Sequence, residues 1–325
     1  MNIKLDIPEK FFEGEELCGY YISPEMKKVW AVQLDLLAEF SSICEKHNLK
    51  WWMDAGTLLG AARHKGFIPW DHDVDVIMMR EDYERLLAVS AGEFTYPYTL
   101  IHFENSFMNV TFSQLCNDAT TMLMPTERWA IMQGFPLKIS GGISLDVFPV
   151  DNLLDNKDEI IKVVNELRSL SWKGTRIAYL KELYFPSKSP IKRPLKAIAH
   201  AVMKYINLDS KKFIRKYAEI CKTCGKPDSK FVGKLCMADH QMKPASEFMK
   251  RRVWQRSDFQ DTVYLPFEML TLPAPSGWEN ILSTFYGNWH EFVIRKINGV
   301  TESEAFFYDT EHPYTYYTQE GHMPE

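Results

Sequence analysis

Residues 54–76, DAGTLLGAARHKGFIPWDHDVDV, gather carboxylates, glycines and a basic triplet into one short segment. In extended chain the side chains at i and i+2 share a face, so Asp73 and Asp75 are expected side by side, with Val74 and Val76 directed the other way. Two carboxylates that close repel, and one takes up a proton unless a cation lies between them. Magnesium suits the pair, since it is usually held by one or two carboxylates together with substrate phosphates. Asp146, in the alternating stretch SLDVF, is the best third acid; it would complete a two-metal site or accept the proton of an attacking hydroxyl. Ahead of the pair, a Gly56–Thr57 turn would let backbone N–H groups and a hydroxyl approach phosphate oxygens, with a helix N-terminus following. Arg63, His64 and Lys65 would add mobile positive charge for a diphosphate.

Each feature has an ordinary reading. A D-x-D is most often a solvated strand edge, a Gly-Thr a turn, a basic triplet a wet surface, and a lone buried acid a satisfied structural group. Their joint presence in one order makes coincidence a poor account.

The elements that must position these residues follow from spacing. Ser23 as N-cap and Pro24 at the first position open an amphipathic helix over 24–47. WWMDA (51–55) reads as a strand, TLLGAARHK as a short helix, GFIPW as a loop and DVDVIMM as a second strand. GGISLDVFPVDNL is a third strand with Ser144, Asp146 and Phe148 on one face. Asp155 or Asn156 starts a helix through about Leu170, and 157–260 is mostly helical by pattern. Extended chain over 262–275 then leads into a short helix and an aromatic-rich turn. The expected fold class is α+β: residues 1–155 as core, 156–260 as a mostly helical subdomain, and 261–325 returning to the core.

Bulk properties narrow the function. The 325-residue chain has a net charge of -5, so no global field draws nucleic acid. The N-terminus lacks a basic region followed by an apolar run, and no stretch has the roughly 18 apolar residues of a spanning helix. Six thinly spread cysteines read as reduced thiols, which points to the cytoplasm. Cys221, Cys224, Cys236 and His240 come near a zinc-ligand list, but the C-x-x-x-H half is short, and zinc is disfavoured. In 189–208, Lys192, Lys196, His200 and Lys204 form one stripe, with Leu195, Ile198, Ala199, Val202 and Ile206 on the rest of the helix. Two readings stand: contact with the inner face of an anionic membrane, or, with more weight, a core-packed helix with solvated lysines.

WWMDAGTLLGAARHKGFIPWDHDVDVIMMREDYERLL resembles the signature of the LicD phosphotransferases, which include the fukutin-related proteins. ISLDVFPVDNL resembles that family's third-aspartate segment, and LPFEMLTLPAPSGWENILSTFYGNW its C-terminal block. The resemblance implies a nucleotidyltransferase-type, polymerase-β-like mixed sheet. It implies that Asp73, Asp75 and Asp146 hold a divalent metal, magnesium or manganese, and that Gly56 and Thr57 touch nucleotide phosphates. It further implies transfer of phosphocholine or an alditol phosphate from a CDP-linked donor to a hydroxyl of a cell-surface glycan, lipopolysaccharide or teichoic-acid precursor. Arg63 and Lys65 would stabilise the departing CMP. His72 stands where the family more often has another aspartate, which removes one negative charge on the face opposite the pair. A choline head would rest on aromatic faces, and Trp70 and Tyr286 flank the site; Trp51, Trp52, Trp129 and Trp289 read better as core. The competing readings are a nucleotidyltransferase releasing pyrophosphate from an NTP, and an inactive nucleotide- or glycan-binding protein.

Overall fold

The computed structural model describes residues 1–106, 110–133, 141–181, 187, 189, 191–206, 209, 211–239, 244–294, 296 and 299–324. The first long helix runs Pro24–Lys46, and Ser23 Oγ accepts the Met26 amide at 3.2 Å, a cap worth about 1 kcal/mol. Val29, Trp30, Leu34, Leu37 and Phe40 are buried along it, and so are Gln33 and Asp35, so this helix is core on nearly every side. Asp35 is satisfied there: it accepts from the Tyr98 hydroxyl at 2.6 Å and from the Lys4 and Leu5 amides at 2.7 and 2.8 Å.

Among the described residues the main sheet has seven strands, labelled in chain order: β1 (Trp52–Met53), β2 (Asp75–Met79), β3 (Tyr98–Ile101), β4 (Ser113–Asn117), β5 (Ile143–Asn152), β6 (Phe231–Gly233) and β7 (Val253–Gln255). β5 is the spine. It runs parallel to β2, from Asp75 opposite Asp146 to Met79 opposite Val150. On its other edge it pairs antiparallel first with β4 and then, at Asp151 and Asn152, with β6. β1 lies beyond β2, β3 beyond β4 and β7 beyond β6. This is the expected α+β architecture, a nucleotidyltransferase-like mixed sheet with helices.

The middle of the chain is less separate than its pattern suggests. Asn156 Oδ1 accepts the amides of Asp158 and Glu159, and the helix it caps runs Lys157–Lys181, well past Leu170. Helices Lys192–Tyr205, Lys212–Thr223 and Ala245–Arg251 follow. The same stretch also supplies β6 and β7, whose three residues each are too few for alternation to show. Leu153, Ile160, Val164, Leu167, Tyr217, Cys221, Leu235 and Phe248 form a second apolar cluster at that end of the sheet. The C-terminal extended segment is a hairpin, Thr262–Phe267 with Leu270–Pro275, followed by the helix Trp278–Tyr286.

Candidate functional site

Asp75 is the first residue of β2 and sits directly opposite Asp146 of β5, about 5 Å away at the spacing of neighbouring strands. Paired residues of a parallel ladder point to one face, and both aspartates are half-buried while Val76, Leu145 and Val147 are buried. On the next strand Gln114 pairs with Asp146 and donates to its Oδ1 at 2.8 Å. A row Asp75–Asp146–Gln114 therefore crosses three strands. Burial pushes the Asp75 carboxyl well above its ordinary range, and the charges of Asp73 and Asp146 push the same way. Burial also raises Asp146, to about 7; the Gln114 hydrogen bond opposes this and the Asp73 charge adds to it.

Asp73 belongs to the loop before β2 and is exposed, since the strand starts two residues later than the alternation suggests. Its charge nonetheless reaches both strand carboxylates. The loop is fixed from below by the Pro24–Lys46 helix: Trp30 Nε1 donates to the Asp71 carbonyl at 3.3 Å and Gln33 Nε2 to the His72 carbonyl at 2.7 Å. Among the described residues, the set of three ligand-type side chains whose donor atoms all lie within 4.8 Å of one another is Asp71, His72 and Asp73. It overlaps the expected trio at Asp73. His72 is buried with its ring 4.6 Å from that of Phe306, so it faces the C-terminal segment.

Gly56 and Thr57 are not a turn. They lie in the first turn of the helix Ala55–His64, which follows β1 directly. Ala55 takes φ 41° at its entry, a left-handed value that costs a non-glycine residue about 1 kcal/mol. A Cβ at Gly56 would lie 2.3 Å from Asp71 Oδ2, so a larger residue there would have to displace that carboxylate. Thr57 Oγ1 accepts the Asp75 amide at 2.8 Å, and the Asp54 amide donates to the Asp75 carbonyl at 3.0 Å. Thr57 thus sets the start of β2, and its hydroxyl proton remains for another acceptor.

The basic residues are directed elsewhere. Arg63 Nη1 donates to the carbonyls of Trp289 and Glu291 at 3.0 and 2.9 Å, and its guanidinium lies 4.7 Å from the Phe292 ring centroid. Its Nε donates to His64 Nε2 at 3.0 Å, which suits an imidazole lowered to about 4 by burial and by the Arg63 charge. Lys65 is exposed beyond the C-terminal end of the helix, about 15 Å along the axis from Asp54. The expected mobile charge for a diphosphate is therefore a clamp on the 289–291 backbone in one case and a surface residue in the other. Of the aromatic pair, Tyr286 feels the acids: burial raises its hydroxyl first, and the charges of Asp71, Asp75, Asp54 and Asp73 raise it further. Trp70 lies in a ring cluster with Tyr20, His64 and Phe292, at 6.2, 6.2 and 6.3 Å.

Two residues escape the sequence reading. Lys234, just after β6, is buried; its ammonium is ion-paired to Asp54, lies 4.5 Å from the Phe148 ring, and draws down both Asp75 and Asp146. Its signal was a single lysine among Val232, Gly233 and Leu235. Gln114 had only a short alternation to mark it. The cysteine set is apolar in setting: Cys221 and Cys236 are buried, burial holds the Cys236 thiol at about 12 and Cys224 at about 11, and His240 lies outside the described residues.

A mixed sheet that presents acids from adjacent strands beside a short strand–helix unit defines a nucleotidyltransferase-type core. Residues 48–127 match the family described as LicD/FKTN/FKRP, nucleotidyltransferase domain, and the chain carries a domain of that family. Over 58 residues it is 48% identical to the lipopolysaccharide cholinephosphotransferase LicD of Haemophilus influenzae, covering 18% of this chain and 22% of that protein. Over 53 residues it is 43% identical to the ribitol 5-phosphate transferase FKRP of Homo sapiens, covering 15% of this chain and 11% of that one. The chain thus spans about a fifth or less of the length of these curated relatives.

Proposed function

We propose that the chain is a metal-dependent phosphotransferase that moves phosphocholine or another alcohol phosphate from a CDP-linked donor to a hydroxyl of a cell-surface glycan or its precursor, releasing CMP. The observation that carries this reading is the register of Asp75 against Asp146, with Asp73 beside them, in a domain of the LicD family. All-oxygen donors whose charges oppose one another fit a hard divalent ion, magnesium or manganese, with Asp73, Asp75 and Asp146 as its holders. Such an ion, when bound, neutralises the donor diphosphate and the charge that develops on the departing nucleotide.

The protein's own groups do the rest. The amides of Gly56 and Thr57, at a helix N-terminus, are offered to phosphate oxygens. An oxygen of Asp146 or Asp75 takes the proton of the acceptor hydroxyl as it attacks. Lys234 offsets part of the acid charge and holds Asp54 at the head of the Ala55–His64 helix. Tyr286, whose hydroxyl feels the charges of the acids, and Trp70 are the aromatic faces for a head group. A cytoplasmic site of action is part of the reading, supported by six free cysteines.

The test is to incubate the protein and magnesium with CDP-choline, CDP-ribitol or CDP-glycerol and glycan acceptors and to measure CMP. Absence of CMP with every CDP-alcohol rejects the donor assignment, and pyrophosphate release from CTP would move the reading to nucleotidyl transfer.

A further inference from the structure

Asp54 holds the position that normally caps a helix, and it does not cap. It precedes the helix Ala55–His64 in extended conformation, at φ -132° and ψ 169°, and its carbonyl accepts the Leu58 amide at 2.9 Å. An aspartate so placed ordinarily turns its carboxylate onto the second or third amide of the helix, here those of Gly56 and Thr57. Asp54 makes no such bond. Its carboxylate is ion-paired instead to the ammonium of Lys234, 180 residues away, and both side chains are 3% exposed. The lysine is fixed from its own side: its amide donates to the Arg252 carbonyl at 3.2 Å, and its ammonium lies 4.5 Å from the ring of Phe148, two residues on from Asp146 and on the same face of β5.

We infer that Lys234 is a positioning residue of the proposed transfer: by holding the Asp54 carboxylate it keeps the Gly56 and Thr57 amides uncapped and open to the phosphate oxygens of the donor. The inference rests on the reading of those amides as a phosphate site. A buried carboxylate requires a counter-charge or hydrogen-bond donors, and without Lys234 the donors within reach of an N-cap side chain are the helix amides themselves. A carboxylate bound there would fill the positions that the phosphate needs. It would also set a negative charge at the positive end of the helix dipole, against the incoming diphosphate. Lys234 acts through Asp54 and is itself too deeply buried to meet the donor.

Two double variants of the full chain test it, Asp54→Asn/Lys234→Met and Asp54→Ala/Lys234→Met. Both remove the buried ion pair whole and leave no unpaired charge to unfold the protein, but asparagine is a good cap and alanine is not. Binding of CDP-choline, CDP-ribitol and CDP-glycerol to the parent is measured by calorimetry at saturating magnesium, and the tightest of them is the probe. The asparagine variant should bind the probe at least about tenfold more weakly than the alanine variant, which should stay within a few-fold of the parent. A merely structural pair predicts the opposite order, because asparagine fills the space of the aspartate and alanine leaves a void. Equal affinities in the two variants, or weaker binding in the alanine one, overturn the inference and leave the donor assignment standing. A parent that binds none of the three nucleotides overturns the phosphate-site reading and the inference with it.

Discussion

Asp146 and Asp151 stand five residues apart on one strand, both raised by burial, and yet they are opposite kinds of acid. Asp151 is fully buried, and Arg80 Nε donates to it at 2.7 Å, so its counter-ion is built into the fold; burial still lifts it to about 6 against that charge. Asp146 is half-buried and faces Asp75 and the charge of Asp73. The nearby cation, Lys234, is already ion-paired to Asp54. One end of β5 is internally neutralised and the other is left acidic. Proteins tolerate gathered like charges where a ligand relieves them, and such a cluster is a candidate for a functional site.

This contrast can be broken in graded ways. The largest expected effect is on activity: Asp146→Asn or Asp75→Asn should lower phosphotransfer by about 10³-fold or more, equal to about 4 kcal/mol, with the fold retained by circular dichroism. Retained activity in either variant would remove both ends' distinction. At the other end, Arg80→Met leaves Asp151 buried without its partner and should cost about 3–5 kcal/mol, read from a urea midpoint. Intermediate in size is a gain. The folded-state carboxyls of Asp75 and Asp146 lie above their unfolded values, so the metal-free folded chain binds more protons than the unfolded one between about pH 4 and about pH 7. Its stability therefore falls as pH rises through that window. Asp146→Asn should make the metal-free protein more stable than the parent at pH 8, on the order of 2 kcal/mol, with the difference vanishing near pH 4. Smallest is Thr57→Val, which deletes the acceptor for the Asp75 amide and should cost about 1 kcal/mol while reducing activity several-fold.

The strand positions of Asp75 and Asp146 were legible, though Asp73 falls in the loop ahead of the strand, and so was the helix that underlies them, because Ser23-Pro24 and a 3.6-residue apolar period are local signals. What depended on register was not. Lys234 and Gln114 reach the site only through the pairing of β6 and β4 with β5, partners separated from Asp146 by many residues of chain. Arg63 read as a mobile cation because its acceptors, the carbonyls of Trp289 and Glu291, lie more than two hundred residues away. Gly56-Thr57 read as a turn because glycine punctuates; here it opens a helix whose first turn lies against the Asp71 carboxylate. The apolar period of the Lys192–Tyr205 helix was visible, but a period does not say which side meets water: Leu195, Ile198 and Val202 are exposed, so the core-packed reading of that helix is set aside.

Manganese titration of the purified chain, followed by the loss of the free-ion electron paramagnetic resonance signal, separates the sets of ligands. Binding should compete with magnesium, and Asp73→Asn, Asp75→Asn and Asp146→Asn should each weaken it at least about tenfold. Undiminished binding in Asp75→Asn and Asp146→Asn, with loss confined to Asp71→Asn and His72→Ala, would put the cation in the 71–73 loop and contradict the assignment of the strand carboxylates.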